Sequence, residues 1–188
     1  MPQYFRDFPK VEYDIKKNGT TELMTDITVR FKIQDVLKNR TAVYYDYDIQ
    51  EGERADVIAF NVYDDATLDW LIYIVNYTFD PLFDWPLDRK SFINFIKEKY
   101  GSVSQAQAQV HHYEWIYQKQ KVLYDGTRIP ELTYEVDLST YNTLSPKDRR
   151  IVYSYGYEED LNDAKRRIKL LDASYIPGVL SQIEGIFD

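Results

Sequence analysis

Residues 44–101 read YYDYDIQEGERADVIAFNVYDDATLDWLIYIVNYTFDPLFDWPLDRKSFINFIKEKYG, and the plan of the chain follows from them. Tyr45, Tyr47 and Ile49 alternate with Asp46 and Asp48, the period of a half-buried strand, and Gly52 ends it. Ala55, Ile58, Ala59 and Val62 then fall at helical spacing while Glu53, Arg54 and Asp56 stay in water. After a turn at Asp64 and Asp65, a second helix from about Ala66 to Asn76 has Leu68, Leu71, Ile72 and Val75 on one face and Trp70 and Ile74 on another, so it must be nearly enclosed by protein. Asp80-Pro81 and Trp85-Pro86 push the residues before each proline into extended conformation, and the chain is expected to run out between them rather than coil. Asp88 is placed to cap a third helix with Phe92, Phe95, Ile96 and Tyr100 on its stripe, Lys97 and Lys99 at its negative end and Gly101 as a left-handed cap.

Outward from this block the periods change. Val11, Tyr13 and Ile15, the Asn18-Gly19 turn and the alternation from Thr25 to Gln34 predict a hairpin, with a short turn or helical piece over Asp35 to Arg40. SVSQAQAQ, residues 102–109, has the composition of a linker. Val110 to Tyr124, a turn at Asp125-Gly126, Leu132 to Val136 and Ile151 to Tyr157 read as strands of a small antiparallel sheet, interrupted at Ser145-Pro146. From Glu158 the period becomes 3.6, with Leu161, Ala164, Ile168 and Leu171 on one helical face. Ser174 starts a last helix striped by Ile176, Val179, Leu180, Ile183, Ile186 and Phe187. That stripe needs a cover, either the core or a partner. The reading is an α+β chain in four segments: an arm and hairpin over 1–43, a helical core over 44–101, a strand insertion over 102–157 and C-terminal helices over 158–188.

Composition excludes several classes. The chain has 188 residues, a formal net charge of −8 and a pI near 4.9, which disfavours a broad nucleic-acid surface, where binding depends on neutralising phosphates. There is no Cys for disulfides or thiolate sites, no basic-then-apolar secretory start and no apolar run long enough for a membrane. The scattered glycines form neither GxGxxG nor a Walker loop, and a Gly-x-Ser-x-Gly elbow is absent. His111 and His112, the only histidines, should point to opposite faces of a strand and make a poor metal pair. The many carboxylates single out no catalytic pair, and the basic run Lys165 to Lys169 reads as a solvated helix face. No catalytic residue, cofactor or metal is expected. Tyr, Phe and Trp make up 16% of the residues, an excess that suits protein interfaces, where a ring packs at one end and meets a polar partner at the other.

The series Gly52-Glu53-Arg54, Ile58-Ala59, Tyr63, Leu68, Trp70, Asn76, Asp80-Pro81, Asp84-Trp85-Pro86-Leu87 and Lys99-Tyr100-Gly101 resembles the baseplate wedge protein 53 family of contractile-tailed bacteriophages. Tyr4-Phe5, Phe8-Pro9 and Thr25-Asp26-Ile27 look like its N-terminal arm, and Asn162 to Arg166 with Leu170-Leu171 and Tyr175 like its C-terminal part. The resemblance implies a virion structural protein, not an enzyme. It would be assembled in the host cytoplasm, and it would join wedge and hub proteins, and a copy of itself in the adjacent wedge, in the tail baseplate. The contacts expected on that basis are Phe5 and Phe8 in the arm, Asp80, Pro81 and Trp85 in the crossing, and Ile176, Val179, Leu180 and Ile183 on the last helix. Gly52-Glu53, Ile58-Ala59 and Asn76 also resemble the strand-helix-helix half of a LysM domain, a glycan-binding module. Where that module returns with a short strand, this chain has Asp80 to Pro86 and another helix. The alternative it implies is a peptidoglycan-binding, tail-associated module.

Overall fold

The computed structural model describes residues 8–29 and 43–184, with side chains described as far as residue 181. In chain order the elements are β1 (Lys10–Tyr13), β2 (Glu22–Thr25), β3 (Tyr44–Asp48), α1 (Ala55–Tyr63), α2 (Asp69–Val75) after a 3-10 turn at Ala66–Leu68, α3 (Pro81–Asp84), α4 (Arg89–Tyr100), α5 (Val103–Ala108), β4 (Val110–Gln118), β5 (Lys121–Val122), β6 (Arg128–Ile129), β7 (Leu132–Val136), α6 (Leu138–Thr143), β8 (Arg149–Tyr153), α7 (Ser154–Ala164), β9 (Arg167–Leu171) and α8 (Ile176–Glu184) after a 3-10 turn at Ala173–Tyr175. The fold is α+β with small antiparallel sheets. Contacts divide it into a unit made of residues 1–86 and 165–188 and a contiguous unit of residues 87–164.

In the first unit, β3 pairs antiparallel with β9, Tyr45 facing Leu170 and Tyr47 facing Ile168. The return strand that the sequence lacks after the second helix is therefore supplied from residues 167–171. This corrects the helix expected through Ile168 and Leu171. Ala164, Ile168 and Leu171 satisfy a 3.6 period, but Ile168 and Leu170 also alternate with Arg167 and Lys169, and an apolar run this short fits both templates. Backbone pairing with β3 decides it. The basic run consequently lies on a turn, Lys165 and Arg166, and the strand that follows it, with Lys169 opposite Asp46 and Arg167 opposite Asp48, while Arg166 reaches Glu51 at 2.8 Å. The helices α1 and α2 bury Ile58, Leu71 and Ile72 with Leu170 and Leu171 in one core. Gly52 (φ +70°) turns the chain out of β3, and Asp64 caps α1 in the left-handed region.

Asn76 closes this core. Its side-chain amide donates to the carbonyls of Ile72 and Lys169, each at 2.8 Å, and its side-chain oxygen accepts from the Lys169 amide at 2.7 Å. The amide thus stands in for a third strand beside Lys169. Asn76→Asp keeps size and acceptor but loses both donors and puts charge against two carbonyls. We expect a loss of about 2–3 kcal/mol of stability in urea titration. A loss below about 0.5 kcal/mol would mean that this amide does not hold the strand.

The N-terminal hairpin forms as expected at its turn, where the Asp14 carboxylate accepts from the amides of Asn18 and Gly19 (φ +83°). Its second strand is β2, before the alternation expected from Thr25. Asp26 accepts from both the amide and the hydroxyl of Thr28, and this local turn ends the strand. Residues 30–34 and the piece expected at Asp35 to Arg40 lie outside the described residues.

In the second unit, the Asp88 carboxylate caps α4 by accepting from the Lys90 and Ser91 amides, and Gly101 (φ +83°) ends it. The SVSQAQAQ stretch is helical, not a linker. Ser102 caps the Gln105 amide, and Ala and Gln are good helix formers, so the composition of a linker carried a capped helix. The sheet has the order β7-β4-β8, all antiparallel. Its last strand stops at Tyr153, and α7 begins at Ser154, so Tyr155 and Tyr157 are helical rather than extended. Phe92, Ile96 and Ala106 form the buried centre, with Tyr155 edge-on to Phe92 at 5.6 Å, which is what pulls Tyr155 out of the strand period.

Candidate functional site

The segment between the two X-Pro pairs is built as a protrusion. Asp80 and Trp85 are extended, as the prolines require, but between them Pro81 sits at the first position of a single helical turn, a place where its missing amide costs nothing. The expected straight run is therefore coiled for one turn. Asp80 accepts from the Leu82 amide, and Asp84 reaches back to accept from the amides of Phe79 and Asp80 at 3.0 Å each. Lys165 donates to the Phe83 carbonyl. A turn fixed at both ends in this way displays its side chains: Phe79, Leu82 and Phe83 are 70, 80 and 74% exposed.

Trp85 plays the opposite part. It is half-buried, donates its indole N–H to the Glu53 carbonyl at 2.9 Å and meets Tyr73 edge-on at 5.6 Å, so it anchors the turn to the start of α1. Glu53 also receives the Tyr47 hydroxyl at 2.8 Å. Burial together with that bond pushes the phenol up to about 12, so it stays a donor. Of the residues expected at the crossing, Asp80 and Pro81 are exposed and Trp85 is an anchor. The sequence reading takes in the crossing from Asp80 to Trp85 but names neither Leu82 nor Phe83, although two large apolar residues inside a capped turn too short to bury them were a signal.

The other expected contacts sit elsewhere. Phe8 is buried. Ile176 and Val179 are buried in the core of their own unit, and Leu180 packs partly buried against it, so the last helix folds back on the chain. Phe5 and the side chain of Ile183 lie outside the described residues. On the sheet of the second unit, Trp115, Tyr117 and Tyr134 pack ring against ring at 5.5–6.1 Å, with Tyr117 and Tyr134 more than half exposed.

His111 and His112 differ from expectation. A register shift in β4 between Val110 and His112 brings the rings together, with the two Nδ1 atoms 2.8 Å apart, and His111 stacks on Tyr157 at 3.8 Å. Among the described residues no group of three His, Asp or Glu is placed to hold a metal. Nearby, a cleft of about 610 Å³ is lined by His112, Glu114, Arg150, Tyr155, Tyr157 and Asp160. Of its two carboxylates, Glu114 is engaged: it accepts from Arg150 at 2.6 and 2.8 Å and from Thr133 at 3.2 Å, and Arg150 also reaches Glu131. Burial pushes the Glu114 carboxyl up, but these donors outweigh it and hold it ionised. A carboxylate so occupied is structural.

Glu158 follows the same rule. It is buried, which raises its pKa, but the Lys99 ammonium at 2.6 Å and the Tyr100 hydroxyl at 2.7 Å outweigh burial and hold it below the ordinary value of 4.5. A carboxyl depressed in the folded state contributes stability above its unfolded pKa and loses it as pH falls through the folded one. The pair should therefore weaken as pH drops below about 4.5. Glu158→Gln should cost about 1–2 kcal/mol at pH 7, since Lys99 is half exposed and screened, and the difference from wild type should shrink toward pH 3. A pH-independent difference would assign the cost to packing instead.

The chain matches the family described as base plate wedge protein 53 over residues 3–183. It belongs to that family. No individual curated protein matches the sequence. Membership makes the chain a structural protein of the phage tail, located in the virion baseplate and in contact with other baseplate proteins. The family supports a non-enzymatic role.

Proposed function

We propose that the chain joins wedge subunits to one another and neighbouring wedges around the hub, entirely through protein–protein contacts, after assembly in the host cytoplasm. The observation that carries this reading is the locked turn with Leu82 and Phe83 in solvent, since apolar groups fixed in water are favoured where a partner will cover them. In this proposal Asp80 and Pro81 shape the contact and Trp85 holds it in place. Phe8, Ile176, Val179 and Leu180 secure the arm and the last helix, and Phe5 and Ile183 are proposed as contacts to the neighbouring subunit, including a second copy in the adjacent wedge. The test is the native mass of the tagged chain from cells producing the tail particle. A defined complex with other baseplate proteins is expected, and a lone monomer would overturn the reading. A chain ending at Asp172 should fail to give normal wedges, and normal assembly would remove the last helix from the contact set.

A second reading, peptidoglycan binding, draws support from the pairing of β3 with β9, which gives the core strand-helix-helix-strand order. Retention of the purified protein on peptidoglycan, lost on changes in the groove of α1 and α2, would promote it.

A further inference from the structure

We propose that the turn bearing Phe79, Leu82 and Phe83 inserts into an apolar cleft of a partner protein whose rim is basic. The inference rests on the baseplate reading and specifies the partner. Residues 51–88 contain nine carboxylates and one cation, Arg54, while the chain before and after this stretch is neutral overall, so the whole formal charge of −8 is concentrated there. Arg54 is already paired with Asp56 at 3.0 Å. From the rest of the unit, Arg166 pairs with Glu51, and Lys165, held at the uncharged Phe83 carbonyl, brings one positive charge to the turn against the two negative ones of Asp80 and Asp84.

Part of this charge lies beside the apolar turn as well as near it in sequence. Asp80 and Asp84 belong to the turn itself. Trp85, which anchors the turn, meets Tyr73, one helical turn after Asp69 in α2, and donates to the Glu53 carbonyl, three residues before Asp56 at the start of α1. An apolar projection set among carboxylates has two consequences. Two copies meeting through it would bring like charges together, which disfavours self-association by this face. A cleft edged by Lys or Arg gains both the buried apolar area and long-range attraction, which raises the rate of encounter and falls with salt.

The experiment uses the full chain and, as the probe, wedge precursors purified from cells that lack this subunit, with affinity measured at about 50 and 300 mM NaCl, low and high relative to screening. The wild-type chain should bind, more weakly at high salt. Leu82→Ser with Phe83→Ser, exposed positions whose change leaves unfolding in urea as in wild type, should lose about 30-fold or more in affinity. Asp56→Asn with Asp69→Asn should lose affinity at low salt and converge on wild type at high salt. No binding by wild type would overturn the baseplate reading itself. Wild-type binding unchanged by the serine pair would overturn the turn as the contact, and unchanged by salt and by the asparagine pair would overturn the basic rim. Self-association lost in the serine pair would assign the turn to a second copy and overturn the proposal.

Discussion

A chain ending at Ala164 is expected to lose the cooperative fold of the first unit. The deletion removes β9 and α8 and with them the buried side chains of Ile168, Leu170, Leu171, Ile176 and Val179. Five such side chains contribute roughly 10 kcal/mol of burial, as much as the whole stability of an ordinary domain. It also leaves β3 without its hydrogen-bonding partner and Asn76 without Lys169. Limited proteolysis read by mass spectrometry should show new cleavage throughout residues 44–86. A chain ending at Asp172 keeps β9 and loses only the last helix, so it should be destabilised by about 4 kcal/mol and still protect α1 and α2. Equal protection of the Ala164 truncation and the full chain would mean that the return strand is dispensable.

The second large effect is expected at Ile96. It is fully buried in a centre that it shares with only Phe92 and Ala106 among the buried residues described, and the surrounding Leu87, Phe95 and Val103 are partly open. A small core has few neighbours to collapse into a void, so Ile96→Ala should cost about 3–4 kcal/mol and Ile96→Val about 1 kcal/mol. Hydrogen exchange of the α4 amides reads this directly: both variants should exchange faster, in that order. A cost below about 1 kcal/mol for the alanine would show that the packing centre of this unit lies elsewhere.

How much of this was legible in the sequence depends on the range of the interaction that decides each element. Asp64, Asp65, Asp88, Gly101, Asn18-Gly19 and Asp125-Gly126 act within a few residues, and their turns and caps stand where the sequence put them. The errors occur where a distant partner chose between two local options. Ile168 and Leu171 fit a helix until β3 offers a ladder, and Tyr155 and Tyr157 fit a strand until Phe92 and His111 offer rings to pack on. The shape of the proposed contact turn was half legible for the same reason. Proline placement marked the crossing, but which side chains it hides depended on Trp85 finding Glu53 from 32 residues away. Asn162, which grips both the amide and the carbonyl of Leu87 through its own amide, was visible only as part of a family pattern.

The split sheet also sets an order in time. Leu171 lies 127 positions after its partner Tyr44, with the contiguous unit of residues 87–164 synthesised between them. On a ribosome adding ~5–20 residues per second, the apolar faces of α1 and α2 wait roughly ten seconds for the strand that closes them, while the later unit can complete itself from its own residues. The half-sheet is thus the last part to become native although it is among the first to be made. It passes through an interval in which its unpaired strand is open to a chaperone or to another copy.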